Sequence, residues 1–284
     1  MEPTRAFSVQ TGEVAIQVGE WPGTGQSILA LHGLTANLRC YEYIAAGLGG
    51  HHRLLAMDLR GRGLSDKPAT GYSLEHHCRD IKAVLDGLGL PKAVVMGHSL
   101  GAYIGLAFAA WYPDKTAGLI LLDGGAELSP PQWVKVAAGI QASVDRLGKV
   151  LPSLEAYLDM ARRSPYGKPW NQVIEDYFRY DAEAVPGGVR SRVNSQNVAE
   201  ERANLAKVSP SQLHPLVKCP VLILRAVKGM LGADELLLPG DALANMLKAM
   251  AQARVVDLPD SDHFSLVFQP NPARDRAILD FLTG

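Results

Sequence analysis

VVMGHSLGAYIG, residues 94–105, sets one hydroxyl between two glycines. To its left, AVVMG (93–97) reads as a short buried strand. To its right, LGAYIGLAFAAWY (100–112) repeats apolar residues at helical spacing. Ser99 therefore falls where strand becomes helix, with no loop residue to spare. So tight a junction crowds the backbone and leaves little room for a side chain at Gly97 or Gly101. It pushes Ser99 toward a strained φ/ψ and leaves its Oγ clear of the sheet. The N–H groups of Ser99 and Leu100 begin the helix and are expected to be unpaired, at the positive end of its dipole. A hydroxyl beside free N–H donors is half of an acyl-transfer site.

Outward from this junction, short β-rich apolar runs alternate with helical patterns. Strands are predicted at 6–10, 13–18, 27–32, 53–58, 93–97, 118–123, 220–226 and 254–259, and helices near 37–48, 73–88, 100–112, 241–251 and 272–282. Strands spaced by such helices imply right-handed crossovers and an α/β fold with a mostly parallel, eight-stranded sheet flanked by helices. Ligands then belong beyond the carboxyl ends of the strands. One stretch, 126–213, breaks the alternation. It has helical segments but no convincing strand, is cut by prolines or glycine pairs at 130–131, 152, 165, 169 and 186–188, and is rich in aromatics, among them Trp133, Tyr157, Tyr166 and Trp170. It reads as a helical lid inserted into a core made of 1–125 and 214–284. Most of its aromatics are expected to pack the lid against the core, and some to line the cavity beneath.

Bulk composition narrows the function classes. The 284 residues carry 28 basic and 29 acidic side chains, so no nucleic-acid or anionic-membrane surface is expected. No apolar run approaches the roughly 20 residues of a membrane span, and the N-terminal MEPTRAFSVQ has no signal-peptide character. Cys40, Cys78 and Cys219 are far apart and odd in number, which suits reduced thiols in a cytoplasmic protein. Neither His51–His52 nor His76–His77 has metal-ligand spacing, so neither pair is expected to hold a metal.

The loops after the strands supply the rest of a site. HGLTAN (32–37) follows the third strand and can aim the N–H of Leu34 at the same point as that of Leu100, forming an oxyanion hole. His32 is read first as a hydrogen-bonding residue under this loop and His98 as packing against the sheet. Together with Trp133 and Tyr157 they are the candidates for the substrate-binding wall. LPDSDHFSL (258–266) follows the last strand and carries His263, which can reach across the strand ends to take the Ser99 proton.

GHSLG, the HG pair at 32–33, DLRGRGLSDKP (58–68) and the DH before the last helix together resemble the α/β-hydrolase superfamily over essentially the whole chain. That resemblance implies a Ser…acid…His order, no cofactor, and a lid after the sixth strand. It also implies that Asp58 and Ser65 hold loops together, with Arg60 and Arg62 as partners. The chain departs from the family at the acid. Most members place it after the seventh strand as R-G-x-x-D-x-x-x-P; here RAVKGMLGADELLLP (225–239) has Gly229 at the aspartate position, and Asp234 follows five residues later. A different carboxylate, Asp123, ends the sixth strand in GLILLDGG, and some members draw their acid from that strand end. Asp123 is the preferred triad acid and Asp234 the alternative. The expected activity is hydrolysis of a small-molecule ester or lactone by water through an acyl-enzyme, with enamide or C–C cleavage by the same triad as the alternative. Position 99 is not aspartate, which excludes dehalogenase and epoxide-hydrolase chemistry. A ligand receptor on the same fold is the alternative from a different class.

Overall fold

The computed structural model describes residues 2–164, 168–232 and 234–284, so Pro165 and Tyr166 lie outside the described residues. Eight strands form one sheet: β1 (Arg5–Gln10), β2 (Ala15–Trp21), β3 (Ser27–Leu31), β4 (Arg53–Met57), β5 (Ala93–His98), β6 (Thr116–Leu122), and, after a long excursion, β9 (Val221–Lys228) and β10 (Ala253–Asp262). Their order is β1-β2-β4-β3-β5-β6-β9-β10. β1 and β2 pair antiparallel, β2 meets β4 antiparallel, and every later pairing is parallel.

The central strands read as unbroken apolar runs because both faces are covered. On β3, Leu29 and Leu31 enter one core while Ile28 and Ala30 enter the other. The first core is closed by α2 (Leu74–Gly87) and α3 (Leu100–Trp111), the second by α1 (Glu42–Leu48) and α11 (Pro272–Thr283). The predicted helix at 37–48 divides into a 3₁₀ turn, Leu38–Tyr41, and α1, because Asn37 caps the turn and accepts from the Arg39 N–H.

Between β6 and β9 the chain leaves the sheet. It forms α4 (Pro130–Asp145), α5 (Leu154–Arg163), α6 (Gln172–Asp181), a hairpin of β7 (Ala182–Val185) and β8 (Gly188–Ser191), α7 (Ser195–Leu205) and the short α8 (Pro210–Leu213). The hairpin corrects the expectation that this stretch holds no strand. Its strands are four residues each and turn at Pro186–Gly187, too short for alternation to register in sequence. α9 (Gly240–Ala249) and the single-turn α10 (Ser265–Phe268) complete the fold. Among the described residues no helix is long and apolar enough to cross a membrane.

Candidate active site

Close approach of backbones builds the serine elbow. A Cβ on Gly97 would lie 2.0 Å from the Gly101 carbonyl oxygen, and one on Gly101 would lie 1.9 Å from the Leu31 carbonyl oxygen. Helix α3 can therefore rise directly off the end of β5 only with glycine at both places. Ser99 absorbs the turn with φ +56° and ψ −119°, outside the regions an L-residue prefers. One expectation is corrected here: the Ser99 N–H is not free but donates to the Leu122 carbonyl across the sheet at 3.1 Å. Leu100, first residue of α3, has no carbonyl one turn earlier to bond.

Asp123, the residue directly after β6, also has positive φ (+48°), so its side chain turns back over the strand ends. Its Oδ2 accepts from His263 Nδ1 at 2.8 Å and its Oδ1 from the Ala226 N–H at 3.2 Å. Both side chains are buried, at 2% and 4% exposure, so little water competes for the pair. A proton held on Nδ1 leaves Nε2 as the acceptor. Asp234 lies elsewhere. It is exposed on the β9–α9 loop, where Lys135 pairs with it and holds its carboxyl below the usual range. Of the two acids weighed from sequence, the structure brings Asp123 to His263 and leaves Asp234 at the surface.

A cavity of about 340 Å³ opens over the elbow, and Ser99, His263, Leu34 and Leu100 all line it. The Leu34 N–H has no hydrogen-bond partner among the described residues. His98 also lines the cavity. It stacks on His263 (ring centroids 4.5 Å apart, planes at 30°), and its Nε2 bonds the His263 carbonyl at 2.9 Å. Burial, with His263 alongside, holds the His98 imidazole well below its ordinary pKa, so it is a neutral brace for the His263 ring. Trp133 of α4 lines the mouth, tilted against Tyr103.

Two residues expected on the wall are not there. His32 is fully buried below the loop, bonding the Gly33 carbonyl and the Leu59 N–H, and burial pushes its pKa down to about 3. Tyr157 is buried inside the insertion with its hydroxyl on Asp181. Its aromatic ring serves the packing between α5 and α6, the commoner fate of such residues. The expected partners of Asp58 are corrected too. Asp58 accepts from Leu38 N, Leu64 N and the Tyr180 hydroxyl, while Arg60 pairs with Asp80 and Arg62 with Glu201.

Sequence reasoning missed several walls: Tyr103, Arg146, Tyr177, Met230 and Phe268. Tyr103 had a usable signal, since it stands four residues after Ser99 and so on the same helix face. The others arrive from distant elements. Arg146 donates to the Ser143 and Thr35 carbonyls and pairs with Asp181, so its charge is already engaged.

Residues 26–270 match the α/β hydrolase fold family. Over 278 residues the chain is 30% identical to a 2-(acetamidomethylene)succinate hydrolase of Mesorhizobium japonicum, covering 96% of this chain and 94% of that one. The crystal structure of an E-2-(acetamidomethylene)succinate hydrolase superposes with TM-score 0.85 at 26% identity, over 99% of both chains. An enol-lactonase from Burkholderia xenovorans LB400 shares the fold at TM-score 0.71 and 22% identity, over 99% of this chain and 100% of that one.

Proposed function

The chain belongs to the α/β-hydrolase family, and from that footing we propose that it hydrolyses a carboxylic ester or lactone through an acyl-enzyme. Residues 126–213 act as the lid over the cavity. Ser99 Oγ attacks the carbonyl carbon while His263 Nε2 takes its proton, and Asp123 fixes the tautomer and stabilises the imidazolium. The N–H groups of Leu34 and Leu100 receive the oxyanion. His263 then returns the proton to the departing alkoxide, and water repeats the sequence on the acyl-enzyme to release the acid.

The observation that carries this reading is the strained Ser99 facing one cavity with a His263 whose Nδ1 is held 2.8 Å from Asp123. The walls favour an uncharged acyl group. Leu100, Val136, Ile140, Leu205, Leu237 and Val267 line the cavity, and Arg146 is neutralised by Asp181. Enamide cleavage is the second reading, favoured by the 30% identity over nearly the full length of a 2-(acetamidomethylene)succinate hydrolase. Arg202, exposed at the cavity, is then the group available to a substrate carboxylate.

The deciding experiment measures turnover of p-nitrophenyl esters from acetate to octanoate, of simple lactones, and of 2-(acetamidomethylene)succinate, alongside labelling by a serine-directed phosphonate. Ester or lactone turnover with labelling at Ser99 supports the first reading, and preference for the enamide moves the assignment to the second. Absence of both turnover and labelling overturns the hydrolase assignment.

A further inference from the structure

The DLRGRGLS stretch is not used up by holding its own loop together. Arg62, its second arginine, is fully buried and points at the loop that carries Leu34. Its Nε donates to the Leu34 carbonyl at 3.0 Å, and its Nη1 donates to the Arg60 carbonyl at 3.0 Å and lies 2.8 Å from Glu201 Oε2. Glu201 sits on α7 of the insertion, 2% exposed, with both carboxylate oxygens also within 3.1 Å of His77 Nε2. Burial alone would raise the Glu201 carboxyl, but His77 and Arg62 outweigh it and hold it near 2, so it faces Arg62 as a carboxylate.

The neighbouring carbonyls are held in the same way. Gly33 O accepts from His32 Nδ1 at 2.8 Å and from the Ala36 N–H at 3.1 Å. Thr35 O accepts from Arg146 Nη2 at 2.8 Å, and Arg146 pairs with Asp181, again on the insertion. Three successive carbonyls, at 33, 34 and 35, are thus held by buried donors, and two of those donors are ion-paired to residues of the insertion. This matters because Gly33 lies close against the nucleophile: a Cβ there would sit 3.2 Å from Ser99 Cβ, a contact that would make Ser99 shift by a few tenths of an ångström. The residue that makes room for the nucleophile also leaves the loop free to rotate its peptides. A flipped 33–34 peptide would offer the site a carbonyl in place of an N–H; the bonds to Gly33 O oppose that flip, and Arg62 fixes the backbone from the other side of Leu34 by holding the 34–35 peptide.

We propose that Arg62 is a positioning residue for the oxyanion hole, clamped by Glu201 so that the insertion must be docked on the core for the Leu34 N–H to be aimed. The clamp rests on the reading of Leu34 as an oxyanion donor. The guanidinium is a costly way to add stability, since its Nη2 is buried without a hydrogen-bond partner among the described residues. Its planar fork suits holding a carbonyl and a carboxylate in one fixed relation, which a lysine cannot do.

The test compares Glu201→Gln and Arg62→Lys with wild type, using Glu183→Gln on the β7–β8 hairpin as a control outside the site. A misaimed donor loses part of the roughly 10²–10³ that a deleted one costs, so kcat on a p-nitrophenyl ester is expected to fall about ten- to hundred-fold in both variants. KM stays within about three-fold. Affinity for an alkyl boronic acid, which forms a tetrahedral anion on Ser99, falls by the same factor as kcat. Affinity for a neutral alcohol of matching length does not change. Where one variant does not fold by circular dichroism, the other is read. Folded variants with wild-type kcat, or with boronate and alcohol affinity lost together, overturn the clamp while leaving the serine-hydrolase reading intact. A wild type that turns over neither ester, lactone nor enamide and takes no phosphonate label removes both.

Discussion

The sheet side of the site rests on apolar packing, and the insertion above it adds buried polar pairs to packing of the same kind. Below, Ser99 and Asp123 stand where they do because apolar strands fix their ends to within a carbonyl's width, and both residues are driven to positive φ in the process. Above, the insertion packs apolar residues such as Ile174 and Tyr177 into the core and adds buried polar contacts: Glu201 with Arg62 and His77, Tyr180 with Asp58, and Asn197 with the Tyr72 hydroxyl. Apolar packing does not depend on pH and tolerates little geometric change, whereas buried charge pairs are sensitive to protonation and to loss of one partner. A base that carries Ser99, Asp123 and His263, and a cover whose apolar packing is reinforced by protonation-sensitive pairs, is the division this contrast suggests.

The sharpest way to break the comparison is at Ser99. On the proposed reading, Ser99→Ala lowers kcat by about 10⁵–10⁶, measured on a p-nitrophenyl ester. Ser99→Gly is equally inactive yet more stable than wild type by about 1 kcal/mol in urea unfolding, because glycine relieves the strained φ/ψ. A Ser99→Gly variant that is less stable shows that the elbow is not strained. Next comes the acid: Asp123→Asn is expected to cost about 10⁴ in kcat, with no such loss from Asp234→Asn. The reverse result reassigns the triad.

The pH dependence of stability tests the polar contacts between insertion and core. Glu201 ionises more readily folded, near 2, than its ordinary 4.5, so it stabilises the fold above pH 4.5 and that contribution is lost as pH falls from 4.5 toward 2. Asp58 has the opposite sign. Burial, only partly offset by Tyr180, Leu64 and Leu38, lifts it from 3.8 to about 6, so the folded state holds its proton more tightly and stability falls as pH rises from 3.8 through 6. Glu201→Gln is expected to flatten the acid limb below pH 4.5, and Asp58→Asn the decline between 3.8 and 6, in urea midpoints taken across pH. Unchanged profiles refute the electrostatic description of the docking. The smallest effect belongs to the exposed Lys135–Asp234 pair between α4 and the β9–α9 loop. Asp234→Asn is expected to change stability by less than about 1 kcal/mol.

Much of this was legible along the chain. The two glycines around Ser99, the apolar run of β5 and the histidine after β10 are local patterns, and each lies where its spacing predicts. The central strands were legible for the same reason, since a strand buried on both faces writes itself as a short apolar run. The β7–β8 hairpin was not, because four-residue strands at a surface leave no periodic trace. The partners of Arg60 and Arg62 were not legible either. Glu201 lies 139 positions beyond Arg62, and nothing in DLRGRGLS says which of the nearby carboxylates will be buried against it.

Order along the chain was enough to establish the fold class and to nominate Ser99 and His263 as nucleophile and base, because strand, turn and helix are written within a dozen neighbouring residues. The separation of Asp123 from Asp234, the walls of the cavity and the donors behind Leu34 came from folding itself. Each depends on residues a hundred or more positions apart meeting in a dry interior, where one bond, such as that between residues 123 and 263, selects among side chains that look alike in isolation.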